Sequence, residues 1–188
     1  TTKIYTLSLH DALPIFSPHP KVAFGPPLPL GATSRGEYMD IQLEKPASPE
    51  AIRALQAHLP RGMVISGVKP IMSNAPSITE LAVAADYRIG YDGDAPALKV
   101  RLDSAESWPA TVLKKGQPLE VDLKRQLISL QPSESGFVIR VRLDVSGARI
   151  GQIANILTGQ DPEGGQAGVE REEMYALEGQ LFIDIGHL

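Results

Sequence analysis

The order of strand and helix signals predicts an α+β protein built as two β-α-β-β-α-β halves, the first lacking its initial strand and helix. Three observations carry that expectation. The stretch Tyr38 to Glu44 alternates apolar and polar residues with the two-residue period of a half-buried strand, and Phe137 to Val145 does so more cleanly. Two other segments space their aliphatic residues as one face of a helix, Ile52, Leu55 and Leu59 in the first and Ile150, Ile153 and Leu157 in the second. The chain of 188 residues is long enough for one domain or two small ones, and the strand-helix-strand order recurs along it.

Residues 1–15 are set aside as non-native. Ile4 to Ile15, IYTLSLHDALPI, back-translates without strain into the end of a common short-read sequencing adapter, and Thr1 and Thr2 fit the same oligonucleotide. Lys3 departs from it by one base. Read as protein, Tyr5 to Leu9 would be an ordinary strand with Leu13-Pro14 as its exit. On the adapter reading His10 and Asp11, a tempting acid/base pair, carry no functional weight.

Composition bounds the chemistry. The 43% of hydrophobic residues suffices for a real core, and the formal net charge of −4 survives removal of Lys3 and Asp11, so overall charge gives no sign of nucleic-acid affinity. No apolar run approaches the roughly 20 residues of a spanning helix, and a cytoplasmic protein without a membrane partner is expected. The absence of cysteine is the most restrictive single fact. It removes disulfides, a thiolate nucleophile, a cysteine zinc site and any cysteine-held iron–sulfur cluster from this chain. His19, His58 and His187 are scattered without metal-ligand spacing, so no metal is expected.

From Phe16 the segment FSPHPKVAFGPPLPLG, with its five prolines, reads as a stiff extended loop around a short strand at Val22 to Phe24. After the Tyr38 strand, Ser48 offers an N-cap and Pro49 a first helical residue, with the helix stopped by Pro60 and Gly62. Met63 to Val68 reads as the returning strand and Lys69 to Thr79 as a linker. The first half therefore spans residues 16–77 and the second 78–188. The strand order matches a ferredoxin-like unit whose first strand and helix are missing, which would leave an unpaired edge and an uncovered apolar face.

In the second half, Leu81 to Tyr91 suggests a strand through Ala85, Tyr87 and Ile89, followed by a helix over Ala97 to Glu106. Trp108 to Leu113 reads as a strand, Lys114 to Gln117 as a turn, and Leu119 to Leu130 as a strand-containing stretch. The Phe137 strand then directs Phe137, Ile139, Val141, Leu143 and Val145 inward. Ala148 to Thr158 forms a helix with Gly159 as its C′ residue, and Glu172 to Leu177 a last strand.

Phe16 to Glu44, FSPHPKVAFGPPLPLGATSRGEYMDIQLE, resembles the signature of a bacterial family, the radical SAM-linked domain of unknown function. That signature is a phenylalanine-x-proline-histidine-proline-lysine motif, a glycine-proline loop and a glutamate-tyrosine strand. Weaker similarity runs through Ala75-Pro76-Ser77, Ala85-Asp86-Tyr87, Lys114-Lys115-Gly116 and Ile150 to Leu157, to about Tyr175. Members lie beside or are fused to a B12-binding radical SAM protein, so the resemblance implies a partner carrying an iron–sulfur cluster, SAM and B12, and no cofactor in this chain. The family's initial strand and helix, with a serine-histidine-leucine-aspartate motif, have no counterpart here, and Leu9-His10-Asp11 is not one.

Candidate binding residues are few. His19, held between Pro18 and Pro20 beside Lys21, has the stiffness and chemistry to titrate near neutrality or meet an anion, or it is a loop histidine bonded to a neighbouring carbonyl. Gly25 and Gly31 admit close backbone approach to a ligand, or simply permit turns. Arg35, Glu37 and Asp40 form a possible ionic cluster, with the two carboxylates on different strand faces. Lys114, Lys115, Lys124, Arg125, Arg140 and Arg142 give a local basic excess able to track phosphates, diluted by Glu120, Asp122 and Asp144 into what is more often a solvated face. Trp108 and Tyr87 read as packing residues rather than base-stacking platforms. No catalytic triad is present. The leading expectation is a non-catalytic accessory or substrate-binding module of a radical SAM system, contacting its partner through His19 and Lys21. The rivals are an RNA-binding or RNA-processing domain and, more weakly, a small enzyme with His19 as base.

Overall fold

A computed structural model describes residues 2–8, 21–43, 45, 47–72, 74–165, 168–178 and 181–187. It is a mixed α+β structure, mostly strand with few helices. A four-stranded sheet is formed by β1 (Thr2–Ser8), β2 (Lys21–Phe24), β4 (Glu37–Leu43) and β5 (Ile65–Ile71), in the order β2-β4-β1-β5. β2 lies antiparallel to β4, whereas β1 runs parallel to both β4 and β5. Residues 2–8 of the segment set aside in the sequence thus lie between β4 and β5 in this sheet.

Between β4 and β5 the chain forms α1 (Pro49–Arg53), capped by Ser48, whose hydroxyl accepts from the Ala51 amide, and then a 3-10 turn at Ala54–His58. The sequence predicted one regular helix burying Ile52, Leu55 and Leu59. Only Ile52 is buried; Leu55 is 40% exposed and Leu59 half-buried, the regular helix giving way to the 3-10 turn after Arg53. The expected linker at Lys69 to Thr79 is also corrected. β5 continues through Ile71, and Ser77 opens the short helix α2 (Ile78–Leu81) with a capping box to Glu80, burying Ile78.

The expected burial of β4 is reversed. Met39, Ile41 and Leu43 are only half-buried, while Tyr38 and Asp40 are the buried residues, because that face meets the second sheet. Asp40 is accommodated there by accepting from the Ile78 amide at 2.7 Å. Burial nevertheless pushes its carboxyl above the usual carboxylate range, with the amide pulling the other way.

The second sheet has the order β12-β11-β6-β10-β9, from β6 (Ala84–Gly90), β9 (Leu127–Ser133), β10 (Gly136–Arg142), β11 (Val169–Glu178) and β12 (Leu181–Asp184), with every one of these neighbours antiparallel. The two-residue β3 (Thr33–Ser34) pairs with β11 and so links the proline-rich loop to this sheet. α3 (Ala95–Ser104), capped by Asp94, follows β6, and α4 (Ile150–Leu157) follows β10. Alternation on β6 and β10 sends Ala85, Tyr87, Ile89, Phe137, Ile139 and Val141 into one core with Leu98, Leu102, Ile153 and Leu157. Burying side chains of this size contributes on the order of 1.5–3 kcal/mol each.

The strand predicted through Val145 stops at Arg142, where Leu143 instead donates its amide to Val83. Gly159 takes φ 74, as a C′ glycine should. Between α3 and β9 stands an additional hairpin, β7 (Pro109–Lys114) and β8 (Gln117–Asp122), turned by Lys115 and Gly116 at φ 53 and 76. Gln152 and Glu163 anchor it by bonding the carbonyl and the amide of Leu113.

Candidate binding groove

The proline-rich loop is fixed to the second sheet by a buried cation. Arg171 on β11 has no exposed surface, and its two terminal nitrogens donate to the Pro26 carbonyl at 2.8 and 2.7 Å. Nη1 also stands 3.3 Å from Glu37 Oε1, and the guanidinium lies 5.6 Å from the centre of the Tyr87 ring. A guanidinium stays charged at any accessible pH, so its burial is tolerable only with such partners. Around it the backbones close up. The Gly25 amide donates to Tyr38, and a Cβ on Gly25 would stand 2.7 Å from Met174 Cε. At Gly36 a Cβ would meet the backbone of Glu172 and Glu173 at 2.6 and 2.7 Å. Arg35, on the outside, pairs with Glu170 at 2.9 Å, which holds its guanidinium above the usual range.

Where this loop meets the sheet's end lie two open depressions of about 270 and 400 Å³, each with Gly90 and Ser135 in its lining and together called the groove below. β6 ends there at Gly90, β9 turns into β10 through Ser135, and β11 begins after Gly168. The smaller part is walled by Gly31 and Thr33 of the loop and by Arg88 and Glu170, the larger by Tyr91, Asp92, Thr158 and Gln160. Glycines leave backbone amides and carbonyls near the surface, and hydroxyls and one amide add short-range donors and acceptors. Arg88 is held by Glu172. The groove therefore suits a neutral or mixed-charge polar ligand or a polypeptide surface better than a polyanion.

Beside the groove, on the half-buried face of the same sheet, Asp86 accepts two bonds from Arg140, at 2.7 and 2.8 Å, and one from the Tyr175 hydroxyl at 2.8 Å. Arg140 stacks 3.9 Å from the centre of the Tyr175 ring. Burial, reinforced by the bond to Asp86, pushes the Tyr175 phenol up to about 12. Tyr38 donates toward Glu173 and also lies 3.0 Å from Asp184.

Of the residues the sequence singled out, Gly25, Arg35 and Glu37 meet at the loop–β11 junction and Gly31 lines the groove. Arg35, Glu37 and Asp40, a possible cluster with its carboxylates on different strand faces, do not pair with one another. Each finds a different partner, Glu170, Arg171 and the Ile78 amide. Lys21 is exposed at the start of edge strand β2. Lys114 and Lys115 belong to the separate hairpin, Lys114 bonding Ser146 at 2.9 Å. His19 lies outside the described residues. Among the basic residues near them, Arg142 is held by Asp144, and Lys124 donates to the Leu102 carbonyl. Trp108 packs against the core with Arg101 over its ring, and Tyr87 is buried. The sequence did not point to Arg171, Arg88 or Ser135. Arg171 is embedded in Glu170-Arg171-Glu172-Glu173, which reads as a solvated run, though the Glu134-Ser135-Gly136 turn was a usable signal.

No group of three or more His, Asp or Glu side chains able to hold a metal occurs among the described residues, and no described helix is long and apolar enough to cross a membrane. Residues 16–155 match the model of a family described as uncharacterised proteins conserved in bacteria, DUF2344. The chain belongs to that family. No curated protein and no solved structure is similar to it. The match begins at Phe16 and takes in the proline-rich loop, both strands that flank β1, and the groove's Arg88 and Ser135.

Proposed function

We propose that this DUF2344 chain is a non-catalytic accessory module of a radical SAM system, binding a substrate or the radical SAM protein through the segment Lys21 to Arg35 and the groove at its Gly31 end. In this reading residues 1–15 are adapter-derived, and 16–77 and 78–188 are two ferredoxin-like halves, the first without its initial strand and helix. The iron–sulfur cluster, SAM and B12 belong to the partner, since a chain without cysteine has no thiolates for a cluster. The observation that carries the proposal is the groove itself. It lies where the loop with the family's signature meets the sheet, it is walled by hydroxyls, an amide, glycine backbone and the carboxylates of Asp92 and Glu170, and its one arginine is held by Glu172. Such a lining orients a ligand or a partner surface and supplies no activated nucleophile. The RNA-binding alternative loses support from the cations, because Arg140, Arg142 and Lys114 are engaged by Asp86, Asp144 and Ser146.

The test is capture of a purified radical SAM protein encoded beside a member of this family. Thr33→Tyr and Ser135→Tyr, which fill the groove, and the pair His19→Ala with Lys21→Ala are compared with Lys114→Ala/Lys115→Ala. Capture that resists salt, falls at least tenfold in the groove variants and persists in the hairpin variant supports the reading. Capture unaffected by both groove and loop variants overturns it, and RNA binding that declines steeply with salt puts the alternative in its place.

A further inference from the structure

Between the end of β6 and the start of α3 the chain reads Tyr91-Asp92-Gly93-Asp94. Its two outer residues are fixed. The Tyr91 amide donates to the Ser135 carbonyl at 3.2 Å and its ring meets Phe137 edge to face, while Asp94 caps α3 by accepting from the Ala97 amide at 2.8 Å. The two inner residues are exposed, and among the described residues nothing accepts the Gly93 amide proton and nothing holds the Asp92 carboxyl group. The pair can therefore rearrange without first breaking a hydrogen bond.

The sequence singles out the same pair. Asp92 is the one aspartate followed by glycine, and neither asparagine is. Asp40, Asp86, Asp122, Asp144 and Asp184 each precede a bulky residue, whose side chain crowds the amide between them. Asp161 precedes Pro162, which has no amide hydrogen. Asp103 precedes the small Ser104 but lies within α3, bonded to Lys99 at 2.7 Å.

We propose that Asp92-Gly93 is a site of spontaneous main-chain isomerisation, converting to isoaspartate in the folded protein. The Gly93 amide nitrogen attacks the Asp92 side-chain carboxyl carbon, and residue 93 carries no Cβ to crowd that approach. The new nitrogen–carbon bond closes a five-membered imide, the carbon–hydroxyl bond breaks, and the hydroxyl and the amide proton leave as one water. A second water reopens the ring. Cleavage at the side-chain carbonyl restores aspartate. Cleavage at the main-chain carbonyl leaves the chain running through the former side chain, with the original main-chain carbonyl now a free carboxylate. Nothing is oxidised or reduced, and water is the only co-reactant. The product inserts one methylene into the main chain between two fixed points, so the change falls on the Asp94 cap and on the wall that Tyr91 and Asp92 give the larger depression. This chemistry stands whether or not the groove takes a ligand.

The test holds the folded chain for weeks in mildly acidic buffer, well below its melting temperature, beside a synthetic peptide of residues 89–99 as the unstructured reference. Isoaspartate is counted by enzymatic methylation of its free carboxylate with labelled S-adenosylmethionine, and placed by electron-transfer fragmentation of the tryptic peptide 89–99. The expected result is accumulation at Asp92 at a rate within fivefold of that in the free peptide and at least tenfold above that at Asp103. In Asp92→Glu, where ring closure needs a six-membered imide, the label in this peptide is lost. Gly93→Ala would disturb the loop itself, because a Cβ there stands 2.3 Å from Tyr91 Cζ and Oη. A rate in the folded chain more than fivefold below that of the peptide, an excess over Asp103 of less than tenfold, or label surviving in Asp92→Glu overturns the proposal.

Discussion

Arg171 and Pro26, 145 residues apart, are joined by two hydrogen bonds from one buried guanidinium to one carbonyl. A proline carbonyl in a stiff loop is a fixed acceptor, and the planar guanidinium reaches it with both terminal nitrogens while its edge faces Glu37. Arg171→Met leaves that carbonyl unpartnered and the Glu37 carboxylate without its cation. Breaking a buried pair in this way costs about 3–5 kcal/mol, read as a lower denaturant midpoint. Arg171→Lys recovers only part of the loss, since an ammonium does not reproduce the fork. In the double variant Arg171→Met/Glu37→Gln the loss is smaller than the sum of the single losses, because the orphaned charge is gone.

Asp40 sets a pH dependence of opposite sign to that of most carboxylates. Burial raises its folded pKa above the unfolded value of about 3.9. The folded state therefore binds more protons, and stability falls as pH rises from the unfolded value through the raised folded one. Asp40→Asn keeps an oxygen for the Ile78 amide and cannot ionise. Its stability, from denaturant titrations between pH 3 and 7, is expected to be flatter across that window and to gain on the parent protein toward pH 7. Asp40→Ala loses the acceptor and costs about 1–3 kcal/mol at every pH.

What the sequence made legible was governed by local periodicity. Phe137, Ile139 and Val141 alternate because one side of β10 faces helices and the other does not, and the Gly159 stop follows from its positive φ. On β4 the same rule named the wrong face, since Tyr38 is buried against the second sheet, 146 positions from its partner Asp184, and Asp40 against the start of α2, 38 positions from Ile78. The groove was half legible. Glycine and proline spacing marked the loop holding Gly25 and Gly31, but the side that Arg88 and Ser135 form exists only once β6, β10 and β11 are aligned. Arg171 was hidden by its acidic neighbours, because charge pattern alone cannot tell a solvated arginine from one that ties a loop.

Tyr175 should titrate late. Burial and the bond to Asp86 raise its phenol to about 12, against about 10 in an unfolded chain. Because the unfolded state loses this proton first, its contribution to stability is complete below pH 10 and declines as pH rises through 12. An ultraviolet absorbance titration of Tyr175→Phe is expected to show one fewer late-ionising tyrosine than the parent chain, with Tyr87, also raised by burial, still present. The alkaline decline in stability should be shallower in the variant. An unchanged late phase would place the Tyr175 hydroxyl in solvent, away from Asp86.

Gly136 joins fold and groove. It begins β10 directly after Ser135, with φ 140, and a Cβ there would stand 2.1 Å from the Ile89 carbonyl oxygen and 2.7 Å from the Tyr91 amide nitrogen. Both obstacles are backbone, so no side-chain rotation relieves them. Gly136→Ala combines a disfavoured dihedral with overpacking and should cost about 2–4 kcal/mol. Gly165 has nothing within 4 Å of its Cβ position, and Gly165→Ala should stay within about 0.5 kcal/mol of the parent. The strain in Gly136→Ala pushes β6 and β10 apart at Gly90 and Ser135, the two residues common to both parts of the groove. Partner capture, measured well below the variant's melting temperature, should therefore fall in Gly136→Ala and not in Gly165→Ala. Equal capture by the two folded variants would separate the groove from binding.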